Sequence, residues 1–168
     1  MAIQGKGFFT IIGPDGNVYY TRDGSFRLDG QGRLVTATGH FVRLRNARPV
    51  PRDAQEISVD ENGVIWAKVD GEFQAIGQIV LTVFPNPQGL HAIGSNLYME
   101  TPQSGEGDEV LPGQDGAGTV LSGYIEKSNV EIVTEMVNLI VAQRAFELNS
   151  KSVETADQMW AIANNIRR

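Results

Sequence analysis

The chain has 168 residues, 41% hydrophobic and 20% charged, with a formal net charge of -6 and no cysteine. That length holds one ordinary domain plus an extension, and the lack of cysteine excludes disulfides, thiolate metal sites and a cysteine nucleophile. No apolar run approaches the ~18 residues of a membrane span. The opening Met1-Ala2-Ile3-Gln4-Gly5-Lys6 lacks the basic-then-apolar layout of a secretory signal and enters a strand pattern almost at once, as expected of a piece of a longer protein given a start Met.

Up to about residue 100 the pattern predicts an antiparallel, hairpin-rich β domain. Short alternating runs at Phe8 to Ile12, Val18 to Thr21, Phe26 to Leu28, Leu34 to Thr36 and Phe41 to Leu44 are separated by Asp15-Gly16, Asp23-Gly24 and Asp29-Gly30. Asp-Gly pairs between alternating runs are hairpin signals, and spacing this tight implies a meander. A second block follows, with runs at Ile57 to Val59, Val64 to Val69 and Ile76 to Phe84 and a short strand at Leu97 to Met99 after a Gly94-Ser95-Asn96 turn. Residues 101–119 are rich in Gly and acid and poor in apolar side chains, and are expected to be a mobile connection. Residues 120–127 recover a strand pattern leading into a helix.

From Tyr124 to Arg168 there is neither glycine nor proline, although 19 glycines and seven prolines punctuate the rest. One long helix over 128–168 is the consequence, opened by Ser128-Asn129-Val130-Glu131 as a capping box in which the serine accepts from the Glu131 N–H and the glutamate reaches back. Apolar residues then recur every seventh position: Ile132, Leu139, Phe146, Val153 and Trp160. Ala142, Ala156 and Ala163 complete an a/d seam in which Glu135 and Asn149 are the polar d residues. The first half is apolar beyond that seam, through Val130, Val133, Met136, Val137, Ile140 and Val141, so several neighbours are expected there. The second half, flanked by Lys151, Glu154 and Gln158, is expected to share one stripe. A rod this long, roughly 60 Å for about forty residues, exceeds what a small β domain can cover, so its seam calls for another chain or another segment.

Charge is unevenly placed. Glu106, Asp108, Glu109 and Asp115 lie in one acidic stretch, and Arg43, Arg45, Arg48 and Arg52 lie in a basic one free of acid. These are either two solvated loops or a complementary pair, the acidic loop of one subunit facing the basic segment of its neighbour. Four arginines without interleaved aromatics make a poor nucleic-acid track. No catalytic, metal or cofactor constellation emerges. His40 and His91 have no second histidine at ligand spacing, and Asp60-Glu61-Asn62-Gly63 starts like a calcium loop but has Gly71 where the closing glutamate belongs. It is expected to be a turn.

Several stretches resemble bacterial flagellar rod and hook proteins. In the helix region these are Gly123-Tyr124-Ile125-Glu126, Ser128-Asn129-Val130, Glu135-Met136-Val137-Asn138, Gln143-Arg144-Ala145-Phe146-Glu147-Leu148-Asn149-Ser150-Lys151 and Thr155-Ala156-Asp157-Gln158-Met159. Upstream they are Ile3-Gln4-Gly5-Lys6-Gly7-Phe8-Phe9, Tyr20-Thr21-Arg22-Asp23-Gly24-Ser25-Phe26 and Gly94-Ser95-Asn96-Leu97-Tyr98, and the details look most like the distal rod branch. The resemblance implies a self-assembling structural subunit of a hollow axial tube that transmits torque across the periplasm. It further implies export through the flagellar type III apparatus without a cleaved signal, an outward-facing β domain, and helices in inner coiled-coil layers. The implied partners are copies of the chain, other rod and hook axial proteins, and the surrounding L and P ring proteins, with no nucleic acid, membrane insertion, small-molecule substrate or cofactor. The family's N-terminal helix has no counterpart in these 168 residues. The resemblance places Val130, Ile132, Met136, Leu139, Phe146, Val153 and Trp160 in helix packing, and makes Asn129, Asn138, Gln143, Arg144, Asn149 and Lys151 candidates for polar contacts between subunits.

Two other classes stay open. A secreted cell-surface or glycan-binding β module with an oligomerising helical stalk requires Tyr19, Tyr20, Trp66 and Phe73 to converge on one exposed face. An enzyme requires a pocket with mutually positioned ionisable groups.

Overall fold

The structure is a computed structural model describing residues 1–166, and it divides into two compact units, Met1–Glu126 and Lys127–Arg168. As expected, the first is mainly antiparallel β and the second is a single long helix. The strands are β1 (Ala2–Gln4), β2 (Phe8–Ile12), β3 (Val18–Thr21), β4 (Arg27–Leu28), β5 (Leu34–Val35), β6 (Phe41–Val42), β7 (Leu44–Arg45) and β8 (Glu56–Val59). They continue with β9 (Val64–Val69), β10 (Glu72–Ile79), β11 (Leu81–Val83), β12 (His91–Gly94), β13 (Leu97–Met99), β14 (Asp108–Val110) and β15 (Thr119–Leu121).

Three sheets result. A nine-stranded sheet runs β12-β13-β3-β2-β6-β5-β4, with β11 joining β2 and β14 joining β11. A four-stranded sheet has the order β7-β10-β9-β8, and β1 pairs with β15 alone. Asp-Gly chemistry builds two of the three expected hairpins; at Asp23-Gly24 the flanking strands do not pair, because β3 lies between β2 and β13 while β4 pairs with β5. At β2–β3, Gly16 takes φ 82° and the Asp15 carboxylate accepts from Asn17 N–H at 3.1 Å and the Tyr19 hydroxyl at 2.7 Å. At β4–β5, Asp29 accepts from the N–H groups of Arg33 and Gln31, which hold its carboxyl below the ordinary carboxylate range. The Asp60 turn closes in the same way, its carboxylate taking the Val64 N–H at 2.8 Å.

Two runs expected as single strands are divided between sheets. Phe41 to Leu44 breaks at Arg43, with β6 pairing β2 and β7 pairing β10. The 76–84 run breaks at Val80, with β10 in the four-stranded sheet and β11 in the nine-stranded one. Strands that switch sheets make the corners of a packed β structure. Between them lies the main core of Ile3, Phe9, Val50, Ile65, Ala67, Ile76, Ile79, Leu81 and Val120, and a smaller cluster joins Ile11, Val42 and Leu97.

The 101–119 segment, expected to be a mobile connection, carries secondary structure and buried contacts of its own. β14 pairs with β11 from Asp108 to Val110, Ser104 is fully buried, and its hydroxyl donates to Thr101 O at 2.8 Å. Asn86 donates from its backbone to Ser104 O and from its side chain to Gln103 O. Hydrogen bonds from short polar side chains act there beside a few apolar anchors, Pro112 being fully buried and Ala117 packed against the main core. His91–Gly94 is also a strand, and of residues 120–127 only Val120 and Leu121 are in one, joined to Thr119 in β15.

The helix, α1, runs Ile132–Ile166, starting four residues after the expected cap. Ser128 accepts from Val130 N–H at 3.2 Å rather than from Glu131, so the capping box does not form. The first intrahelical bond runs from Glu135 N–H to Glu131 O, and the Glu131 carboxylate accepts from the Thr134 hydroxyl. Glu131 therefore takes the capping position. The expected continuation to Arg168 and the Ala163 side chain lie outside what is described.

Candidate assembly surface

A single helix cannot bury its own apolar stripe, and α1 displays the large seam residues from Ile132 to Trp160. Ile132 is 74% exposed, Leu139 68%, Phe146 73%, Val153 63% and Trp160 72%. Val130, Val133, Met136, Val137, Ile140 and Val141 are likewise exposed. The second half is wider than expected, because Leu148, Met159 and Ile162 are exposed large apolar residues outside the a/d seam. Val141, Leu148 and Ile162 each follow a seam residue by two positions, a rotation of about 200° that sets them on the opposite side of the helix. Apolarity on two sides thus persists along the helix, and no single partner stripe would cover it. The polar candidates Asn129, Asn138, Gln143, Arg144, Asn149 and Lys151 are all exposed. Gln143 reaches Glu147 one turn on, at 3.4 Å.

In the β unit a second arrangement centres on Arg22, which sequence reasoning did not single out. Its Nε donates to the Glu126 carboxylate at 2.9 Å and its Nη2 to the same carboxylate at 3.1 Å. Its Nη1 donates to the carbonyls of Gly5 at 2.9 Å and Gly7 at 2.8 Å, and Nη2 also reaches Ile3 O. Next to it, the Thr21 hydroxyl donates to Asn96 O at 2.7 Å, and the Asn96 amide lies 3.5 Å from the Asp23 carboxylate. Ser25, followed by the Asn96 amide, holds the Asp23 carboxyl below its usual range against the opposing effect of partial burial. Four stretches far apart in sequence, around Gly5, Arg22, Asn96 and Glu126, therefore meet at one place. Gly24 and Gly118 show how close the packing is: a Cβ on Gly24 would strike the Met1 carbonyl, and one on Gly118 the Gln4 carbonyl. The missed signal was a bidentate-capable arginine in one matched stretch and a carboxylate in another.

Arg22→Ala should destabilise the β unit by about 1–2 kcal/mol, because the part-buried Gly7 and Ile3 carbonyls lose a charged donor while water reclaims the exposed Glu126 carboxylate. Arg22→Lys should recover less than half of that, since an ammonium cannot fork to both sets of acceptors. Urea unfolding of the three proteins measures both, and an unchanged midpoint for Arg22→Ala would remove any anchoring role.

Two arginines of the basic stretch find partners within the chain. Arg43 Nη1 lies 3.0 Å from Glu109 Oε1, and Arg52 donates to Gly30 O. The aromatic platform required of a glycan-binding module does not form. Tyr20 is buried at 8% exposure, with its phenol pushed up by that burial and by Glu100. Tyr19, on the opposite face of β3, stands edge-on to His40. Trp66 and Phe73 lie in the other, four-stranded sheet.

Residues 2–67 match the family described as the flagellar hook protein FlgE/F/G D1 domain, and residues 121–166 match the flagellar basal body rod FlgEFG protein C-terminal family. The chain belongs to the flagellar rod and hook protein family. It is 46% identical to the flagellar basal-body rod protein FlgG of Borreliella burgdorferi, over 100% of this chain and 64% of the relative. It is 41% identical to that of Bacillus subtilis, over 100% of this chain and 65% of the relative. Similarity to the flagellar hook protein FlgE of Caulobacter vibrioides is 38% over 67% of this chain and 19% of the relative. The chain thus spans a little under two thirds of the length of the rod relatives it matches. In this flagellar rod and hook chain the Arg22–Glu126 pair ties the first family match to the start of the second.

Proposed function

We propose that the chain is part of a structural, non-catalytic subunit of the bacterial flagellar rod, in its distal section, which self-assembles into a hollow axial tube and carries motor torque across the periplasm. The observation that carries the reading is the apolar seam of α1, recurring every seventh residue and exposed from Ile132 to Trp160, in a chain 46% identical along its whole length to a flagellar basal-body rod protein. Sustained seams of this kind are buried by other helices. Ile132, Val133, Met136, Val137, Leu139, Ile140, Phe146, Val153 and Trp160 pack between helices of neighbouring subunits as a coiled coil, and Val130, two residues ahead of the helix, packs at its entry. Asn129, Asn138, Gln143, Arg144, Asn149 and Lys151 make polar contacts there, with Asn149 at a d position setting register at some cost in stability. The partners are copies of this protein and other rod and hook axial proteins, inside the L and P rings. Export by the flagellar type III apparatus without a cleaved signal peptide completes the proposal.

Deletion of the gene should leave cells without hook or filament, and the full-length protein supplied in trans should restore swimming. Antibody raised against residues 1–126 should label the rod of isolated basal bodies. Normal swimming in the deletion strain, or label confined to the cytosol, would overturn the reading.

A further inference from the structure

We infer that Arg45 and Arg48 form a basic strip that receives the Glu106–Asp108 segment of a neighbouring copy; this rests on the proposed assembly and names one of its outer contacts. The Arg43–Glu109 pair marks a border where the basic and acidic stretches of one chain adjoin, in a hollow that Leu44, Arg45 and Val110 also line. On the basic side, Arg45 and Arg48 line an open hollow of about 550 Å³ with Asn46, Gln74 and Gln78, and no acidic residue contributes to its walls. Arg48 also borders an apolar hollow of about 290 Å³ beside Phe41 and Val50. Among the described residues neither arginine has a carboxylate within ion-pair distance, and neither Glu106 nor Asp108 has a cation. All four are exposed.

In a chain of net charge -6, an acid-free run with four arginines is the electrostatic exception. Acidic and basic strips side by side on one subunit satisfy each other when the next subunit is related by a head-to-tail step, because its acidic strip then falls on the first subunit's basic strip. Head-to-tail contacts of this kind generate rings and helical tubes. Exposed ion pairs add little affinity each, but juxtaposed like charges are strongly unfavourable, so the strips select one register over its neighbours.

The test uses the full-length protein in the gene-deletion strain. Arg45→Glu with Arg48→Glu should reduce the yield of hook-bearing basal bodies by roughly tenfold or more, since every copy then repels its neighbour. Glu106→Arg with Asp108→Arg should do the same, and all four changes together should restore the yield to within about threefold of the parent, which also shows that the altered chains fold. A normal yield for either double variant, or no recovery in the fourfold variant, overturns the inference. Loss with the arginine pair alone assigns the strip to a different acidic partner and equally overturns a second copy as its occupant. Leu139→Asp in the same strain separates the two levels: if it too assembles normally, the assembly reading itself has failed.

Discussion

Full-length protein carrying Leu139→Asp and Phe146→Asp will accumulate in cells and will not build a rod. Both positions lie on the seam of α1 and are 68% and 73% exposed in the chain. Truncating a packed leucine costs about 2–5 kcal/mol, and a carboxylate at the same site adds the cost of desolvating an unpaired charge. Even about 3 kcal/mol per helix contact weakens association by roughly a hundredfold, and a tube repeats that loss at every subunit. Glu154→Gln, a polar change off the seam on the same helix, should leave swimming within about twofold of the parent. The altered residues belong to the second compact unit, so the melting transition of residues 1–126 should not move. Swimming at the parental rate with both aspartates in place would show that this seam buries nothing in the working protein.

What could be foreseen followed the range of the interaction. Asp15-Gly16, Asp29-Gly30 and Asp60 through Gly63 announce their turns because the carboxylate closes on N–H groups two to four residues away. The helix α1 was equally legible, since a run free of glycine and proline with its own apolar period is written along one element. Counting only a and d positions concealed the opposite side, where Leu148 and Ile162 keep the helix apolar. The sheet changes at Arg43 and Val80 were hidden because alternation says which face a residue takes, not which sheet its strand joins. At 101–119 the low apolar content concealed an order that Ser104, Thr101 and Asn86 supply by hydrogen bonding and Pro112 by burial. The Arg22 cluster was beyond reach for a different reason. It joins Gly5, Arg22, Asn96 and Glu126 across as many as 104 residues between Arg22 and its carboxylate, and no local pattern records such a meeting.

Purified residues 1–168 will self-associate, and the same chain ending at Lys127 will sediment as a monomer at every concentration. A 35-residue helix rich in β-branched residues at its start, with Ile132, Val133, Val137, Ile140 and Val141, is a poor candidate for stability alone in water. Burial of the seam must supply what propensity does not. Each fully buried Leu, Ile, Val or Phe side chain contributes about 1.5–3 kcal/mol, so five seam residues per helix offset the entropy of association if they meet a second seam. Helicity should therefore rise with protein concentration in step with sedimentation, while the β signal stays constant. Asn149→Leu should tighten association and loosen its register, giving a mixture of larger species, because the polar d residue opposes alternative alignments. A strictly monomeric chain at full helicity would mean that α1 is stable without a partner seam, and the coiled-coil account of Ile132 to Trp160 would fall with it.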